Sequence, residues 1–125
     1  MIALYIGLAG ALGSMSRYWL GSWVAGSVGL RTQMPLATLA VNVLGSLAMG
    51  VAIAVFASRG ELDSRLRMAV AVGFLGGFTT YSSFALETVG LLEQRNVHMA
   101  ALYISVTLIA AGVACYLGLL VGRRL

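Results

Sequence analysis

Lysine is absent from these 125 residues, and charge of either sign is thin. Eight arginines face four acidic side chains, and charged residues make up 10% where soluble domains average about 25%. Hydrophobic residues reach 60% and the mean hydropathy is +0.95, leaving too little polar surface to coat a particle dissolved in water. A soluble globular enzyme is therefore excluded, and so is a disordered chain, which would be poor in apolar residues and rich in charge. The lone Cys115 cannot form an intramolecular disulfide and reads as a small buried hydrophobe. The lone His98 has no second His, Cys or close carboxylate to complete a metal-ligand set. No Ser/His/Asp arrangement, phosphate-binding loop or paired carboxylate is present, so catalysis has no footing.

What the chain has instead is long apolar runs, the mark of an all-α integral membrane protein. Four spans are expected, over about 2–24, 36–58, 67–91 and 97–121, joined by hops short enough to return each helix antiparallel to the last. They form a single transmembrane domain, 1–125, multi-pass in the cell inner (plasma) membrane. The arginines lie in loops and at span ends rather than on one solvated face, which argues against nucleic acid. With four spans, five arginines fall on the side of the termini and three on the other. That bias mildly favours cytoplasmic termini and is small enough for insertion in both orientations.

Polar residues inside the spans are informative because lipid makes each of them costly. In the second span Thr38, Asn42, Gly45 or Ser46, and Met49 recur at helical spacing on one face. Asn42 alone reads first as glue between helices. In the first span Gly7, Gly10, Gly13, Ser14, Arg17 and Gly21 form a strip of small residues; Arg17 either snorkels to the interface or faces a wet vestibule where it would attract an anion. The third span holds Gly73-Phe-Leu-Gly-Gly-Phe-Thr-Thr-Tyr-Ser-Ser-Phe84, a poor continuous helix, because glycine is flexible and hydroxyls compete for backbone hydrogen bonds. It reads as a broken helix whose freed carbonyls and hydroxyls are natural ion ligands, against the plainer alternative of a glycine-rich crossing point. Phe78, Tyr81 and Phe84 recur every three positions around it; ring edges carry the positive end of the quadrupole, although ordinary packing accounts for most such rings. Tyr103 and Thr107 share a face of the last span.

The run from Gly73 to Glu87 resembles the GxxGGxTTFSTFxxE signature of the CrcB (Fluc) fluoride channels. Thr38-Leu-Ala-Val-Asn42-Val-Leu-Gly45-Ser46 and Gly10-Ala-Leu-Gly13-Ser-Met-Ser-Arg17 support it, and the resemblance extends over the whole chain in span count and motif order. It implies a four-helix subunit with a broken third helix, paired with an inverted copy of itself as a dual-topology homodimer that carries fluoride passively and protects the cell from fluoride toxicity. By position, Asn42 would be the pore asparagine and Tyr81 and Phe84 the pore-lining rings. Ser83, Thr38, Tyr103 and Thr107 would line the same path. Arg17 would attract the anion and Glu87 would be the supporting glutamate. A structural sodium ion at the dimer centre would be held by backbone carbonyls at Gly76 and Thr79. The chain departs from the pattern at Tyr81 and Ser83, where members usually carry Phe and Thr, at Ala37, where they carry Gly, and at Ala111, where a hydroxyl often continues the track.

Independently of any family, fluoride is small and strongly hydrated, so a pore must replace its water with good donors without holding it too tightly. Neutral amides and hydroxyls meet that need. The rival from another class is a proton-coupled exporter of the small multidrug resistance type. Such a transporter needs a carboxylate in its first span, and Met1 to Gly60 contains none. A third reading is a non-transporting assembly subunit whose polar residues all serve as helix glue.

Overall fold

A computed structural model describes residues 1–28, 32–60 and 64–125, which are all-helical with no strand among them. In chain order the elements are α1 (Ile2–Val28), α2 (Leu36–Ser58), α3 (Ser64–Met68), a π-helical stretch (Ala69–Leu75), α4 (Gly76–Phe78), α5 (Tyr81–Glu93) and α6 (Val97–Gly122). Among the described residues, three helical runs are long and apolar enough to cross a membrane: Leu36–Ser58, Ser64–Glu93 and Val97–Gly122. At about 1.5 Å per residue even the shortest exceeds a hydrocarbon core about 30 Å thick. α1 is 27 residues long but is not among the three, since Arg17 and a run of glycines and serines dilute its apolar character.

Local chemistry sets the ends. Pro35 immediately precedes α2, a position where its missing N–H is not needed. Asn96 caps α6 by accepting from the Met99 N–H at 3.3 Å, and its Nδ2 donates to Gln33 Oε1. The reversal between α5 and α6 is tight. Arg95 adopts a left-handed backbone (φ 57°), the Arg95 N–H donates to Leu92 O and the Asn96 N–H to Leu91 O, each at 2.9 Å.

α2 packs most extensively on α6. That crossing depends on glycine: a Cβ at Gly118 would stand 2.2 Å from the Leu47 carbonyl oxygen, so any side chain there would force the helices apart. α1 lies against the π-helical stretch and α4, where Ser14 Oγ donates to Gly77 O at 3.4 Å. The outer faces are apolar, with Leu8, Leu12, Leu44, Leu86, Ile109 and Leu117 exposed, as suits a surface met by acyl chains rather than water. The buried core is small. Phe84 and Leu91 of α5 meet Ala100 and Tyr103 of α6.

Candidate functional site

The segment from Ser64 to Glu93 is irregular in two places. Over Ala69–Leu75 the helix widens, and the Gly76 N–H donates both to Ala71 O, five residues back, and to Gly73 O. Between α4 and α5, Thr79 (φ −76°, ψ 156°) and Thr80 (φ −145°, ψ 113°) are extended. Thr79 closes α4 by directing both its N–H and its hydroxyl at Leu75 O, each at 3.0 Å. Thr80 opens α5, its Oγ1 accepting from the Ser83 N–H at 3.2 Å and donating to Ser83 Oγ at 3.1 Å. A hydroxyl at this N-cap position satisfies one of the donors that every helix start leaves orphaned.

Extended backbone inside a helix bundle must find partners, and here one side chain supplies them. Asn42 of α2 donates from Nδ2 to Thr80 O at 2.9 Å and accepts from the Thr80 N–H at Oδ1, 2.8 Å. The amide thus treats Thr80 as a neighbouring strand would. Gly45, one turn further along α2, permits the approach, because a Cβ there would lie 2.3 Å from Thr79 Cγ2. Two carbonyls lose their usual helical donors. The Thr80 N–H, which a continuous helix would bring to Gly76 O, is held by Asn42, and the Ser83 N–H, which it would bring to Thr79 O, is held by Thr80 Oγ1.

A second polar cluster joins three helices. Thr38 Oγ1 of α2 donates to Glu87 Oε1 and the Tyr103 hydroxyl of α6 donates to Glu87 Oε2, both at 2.7 Å. Tyr103 is fully buried, its ring tilted against Phe84 at a centroid distance of 5.2 Å; Phe84 in turn lies 5.8 Å from the ring of Tyr81. Tyr81 itself is 79% exposed.

Thr80 lines two cavities, and Asn42 lines the first of them. One, of about 330 Å³, is bounded by Asn42, Thr79, Thr80, Tyr81, Phe84 and Thr107, together with Ser46, Met49 and Cys115. The other, of about 510 Å³, is bounded by Ser14, Arg17, Thr38, Thr80 and Ser83. A third, of about 460 Å³, shares Ala25 and Ala37 with the second and reaches Glu87. The polar residues read from the sequence are therefore divided. Asn42, Tyr81, Phe84 and Thr107 border the first space, Arg17, Thr38 and Ser83 the second, and Glu87 the third. Tyr103 reaches this system through its bond to Glu87 rather than as a wall. Thr107 is 5% exposed and its Oγ1 has no hydrogen-bond partner among the described residues, an unusual state for a buried hydroxyl.

Thr80 was not singled out by sequence reasoning, although it lines both of the first two cavities. A signal for it exists: a threonine immediately before an apolar helical run is a helix N-cap candidate. Cys115, expected to be buried, is half-buried on the cavity wall.

The family model described as "CrcB-like protein, Camphor Resistance (CrcB)" matches residues 4–119. A fluoride-specific ion channel FluC of Thermus thermophilus is 43% identical over 122 residues, covering 98% of this chain and 94% of that protein. One from Sorangium cellulosum is 40% identical over 121 residues, 97% of this chain and 94% of its own length. A third, from Syntrophotalea carbinolica, is 38% identical over 125 residues and all of both chains. With the match spanning nearly every residue, and with the polar residues gathered as described above, the chain belongs to the CrcB family.

Proposed function

We propose that this protein is a fluoride-specific ion channel, multi-pass in the plasma membrane, that lets fluoride leave the cell down its gradient and so limits fluoride toxicity. It is a channel and not an enzyme. The observation that carries the reading is the placing of neutral donors on the two cavities that Thr80 lines: the Asn42 amide on the first and, on the second, the Ser83 hydroxyl, which takes the Thr80 proton and keeps its own.

The amide of Asn42 has two N–H groups, and one is committed to Thr80 O. The other is left to replace part of the water shell of a small halide. Glu87 draws the hydroxyl protons of Thr38 and Tyr103 to itself, so an anion arriving there must compete with a carboxylate for them. This weakens the hold of that cluster and favours release, which conduction requires as much as entry. Arg17, on the wall of the wider cavity, raises the local anion concentration without trapping the ion at the narrow part.

In this reading α1 is the fourth span, with its arginine turned to the wet side. Thr79 and Thr80 form a break within the third span, and two copies insert in opposite orientations to make the conducting unit. The carbonyls of Gly76 and Thr79, deprived of their helical donors, suit a hard cation such as sodium, since they are neutral oxygen ligands. Sodium there would be structural, offsetting the negative ends of dipoles that converge between the two copies. A proton-coupled exporter is the weaker reading. The relatives are named for fluoride, and the first sixty residues contain no carboxylate for proton exchange.

The test is fluoride efflux from vesicles carrying the purified chain, with chloride as comparison. Fluoride release well above empty vesicles, without matching chloride release, supports the reading; equal release of both, or none, counts against it.

A further inference from the structure

α2 presents two different faces. Asn42 and Ser46 line the cavity of about 330 Å³, whereas Leu44 and Ala48, each two residues later and so about 200° further round the helix, line a separate groove of about 700 Å³. That groove continues past Ala52 and Phe56, with Val70 and Phe74 of the third span as its other wall, and its lining is almost wholly apolar. Leu44, Ala48, Ala52 and Phe56 recur every four residues, so the groove follows α2 for about 18 Å. One leaflet of a hydrocarbon core about 30 Å thick is about 15 Å deep. The groove therefore matches a lipid acyl chain in both length and chemistry.

The outer end of the groove is basic. Gly45 packs on Thr79, and from there α2 and the third span run side by side to the end where Phe56 and Val70 line the groove. Arg59 lies three residues beyond Phe56 and Arg67 three residues before Val70, so each stands about one turn past the apolar lining. Both are exposed, and neither guanidinium has an ion-pair partner among the described residues. Arg65, Arg123 and Arg124 share this end, against Glu61 and Asp63, which lie outside the described residues.

We propose that this groove is the binding site of one anionic phospholipid, its acyl chain lying along α2 and the third span and its headgroup phosphate held by Arg59 and Arg67. A guanidinium bonds a phosphate through two parallel N–H groups, which gives the headgroup a geometry as well as a counter-charge. A zwitterionic lipid fills the apolar part equally well, but its own ammonium offsets the phosphate, so the arginines supply the selection. The site lies across α2 from Asn42 and is independent of the fluoride reading; it needs only that α2 and Ser64–Glu93 span the membrane.

The experiment places the full chain in phosphatidylcholine vesicles doped with phosphatidylglycerol or phosphatidylcholine carrying a diazirine on its acyl chain, then illuminates, digests and reads the labelled peptides by mass spectrometry. Residues 44–56 and 70–75 should be labelled at least about fivefold more strongly by the phosphatidylglycerol probe, the worth of one basic side chain at an anionic surface. Arg59→Gln combined with Arg67→Gln should bring that ratio to about one, whereas Arg123→Gln combined with Arg124→Gln should leave most of it. In the unsubstituted chain, salt at about 1 M shortens the reach of charge to about 3 Å and should lower the ratio. Equal labelling by the two probes, or a ratio indifferent to salt, overturns the selection of anionic lipid. A ratio lost alike in both double variants overturns the assignment to Arg59 and Arg67. Groove residues left unlabelled while exposed Leu8 and Leu12 of α1 react overturn the site, because a second copy then covers it.

Discussion

Asn42 and Thr80 are joined twice, side-chain amide to backbone, at 2.9 and 2.8 Å. Asn42 borders one cavity and Thr80 borders two, and the amide supplies the hydrogen bonds that extended backbone at Thr80 would otherwise lack. One residue of α2 thereby both supports the irregular segment and faces the proposed path.

Asn42→Asp should separate those two roles. The aspartate keeps an oxygen for the Thr80 N–H but removes both amide donors and places a negative charge in the path, so fluoride efflux should be abolished in a protein that still elutes as a folded species. Normal efflux from that variant would remove Asn42 from the path. Asn42→Leu removes both bonds and leaves buried backbone unpaired, at about 1–3 kcal/mol for each unpaired group. Its thermal stability in detergent should drop well below that of the aspartate variant.

The two bonds to Glu87 end on one carboxylate and should be coupled. Tyr103→Phe and Thr38→Val each remove one hydrogen bond, of a kind worth about 0.5–1.5 kcal/mol. Because they share a partner, the double variant should deviate from the sum of the singles by about 0.5 kcal/mol or more in a double-mutant cycle of unfolding. Strict additivity would mean that the two hydroxyls do not meet at Glu87.

Gly45→Ala tests whether the close approach of α2 to Thr79 matters for transport. The added methyl would lie 2.3 Å from Thr79 Cγ2 and 3.0 Å from the Phe78 ring, so something must shift. A cost of about 1–3 kcal/mol is expected, as for an overpacked core, together with reduced efflux. Gly7→Ala is the control, since nothing stands within 4 Å of a Cβ there. Equal behaviour of the two variants would contradict the packing described here.

Thr80→Val keeps the shape and both bonds to Asn42 while deleting the hydroxyl that caps α5. About 1 kcal/mol of stability should be lost, the usual worth of an N-cap. Chemical denaturation of wild type and variant side by side reads this directly, and an unchanged midpoint would remove the cap from the account.

Much of this arrangement was legible in the residues. Thr38, Asn42 and Gly45 fall on one face of α2 by spacing alone, and the glycines and hydroxyls from Gly73 to Ser83 mark the segment where helix geometry departs from regular. The meeting of Thr38 and Tyr103 at Glu87 was not legible. It depends on how three helices cross, and no local pattern encodes that. The π-helical stretch was hidden as well, because Ala69-Val-Ala-Val reads as ordinary apolar helix; the extra residue is accommodated by tertiary packing against α1. Cys115 illustrates the same limit. An apolar neighbourhood along the chain suggested burial, whereas the side chain borders a cavity formed with α2.

The central claim is that neutral donors around Asn42 and Thr80 carry fluoride and not larger halides. The most direct measurement is a fluoride-selective electrode trace on vesicles containing this chain, paired with a chloride trace from the same preparation and with the Asn42→Asp variant. Rapid fluoride release, negligible chloride release and loss of the fluoride signal in the variant are the predicted result. Chloride release as fast as fluoride, or a variant that conducts like the parent chain, would contradict it.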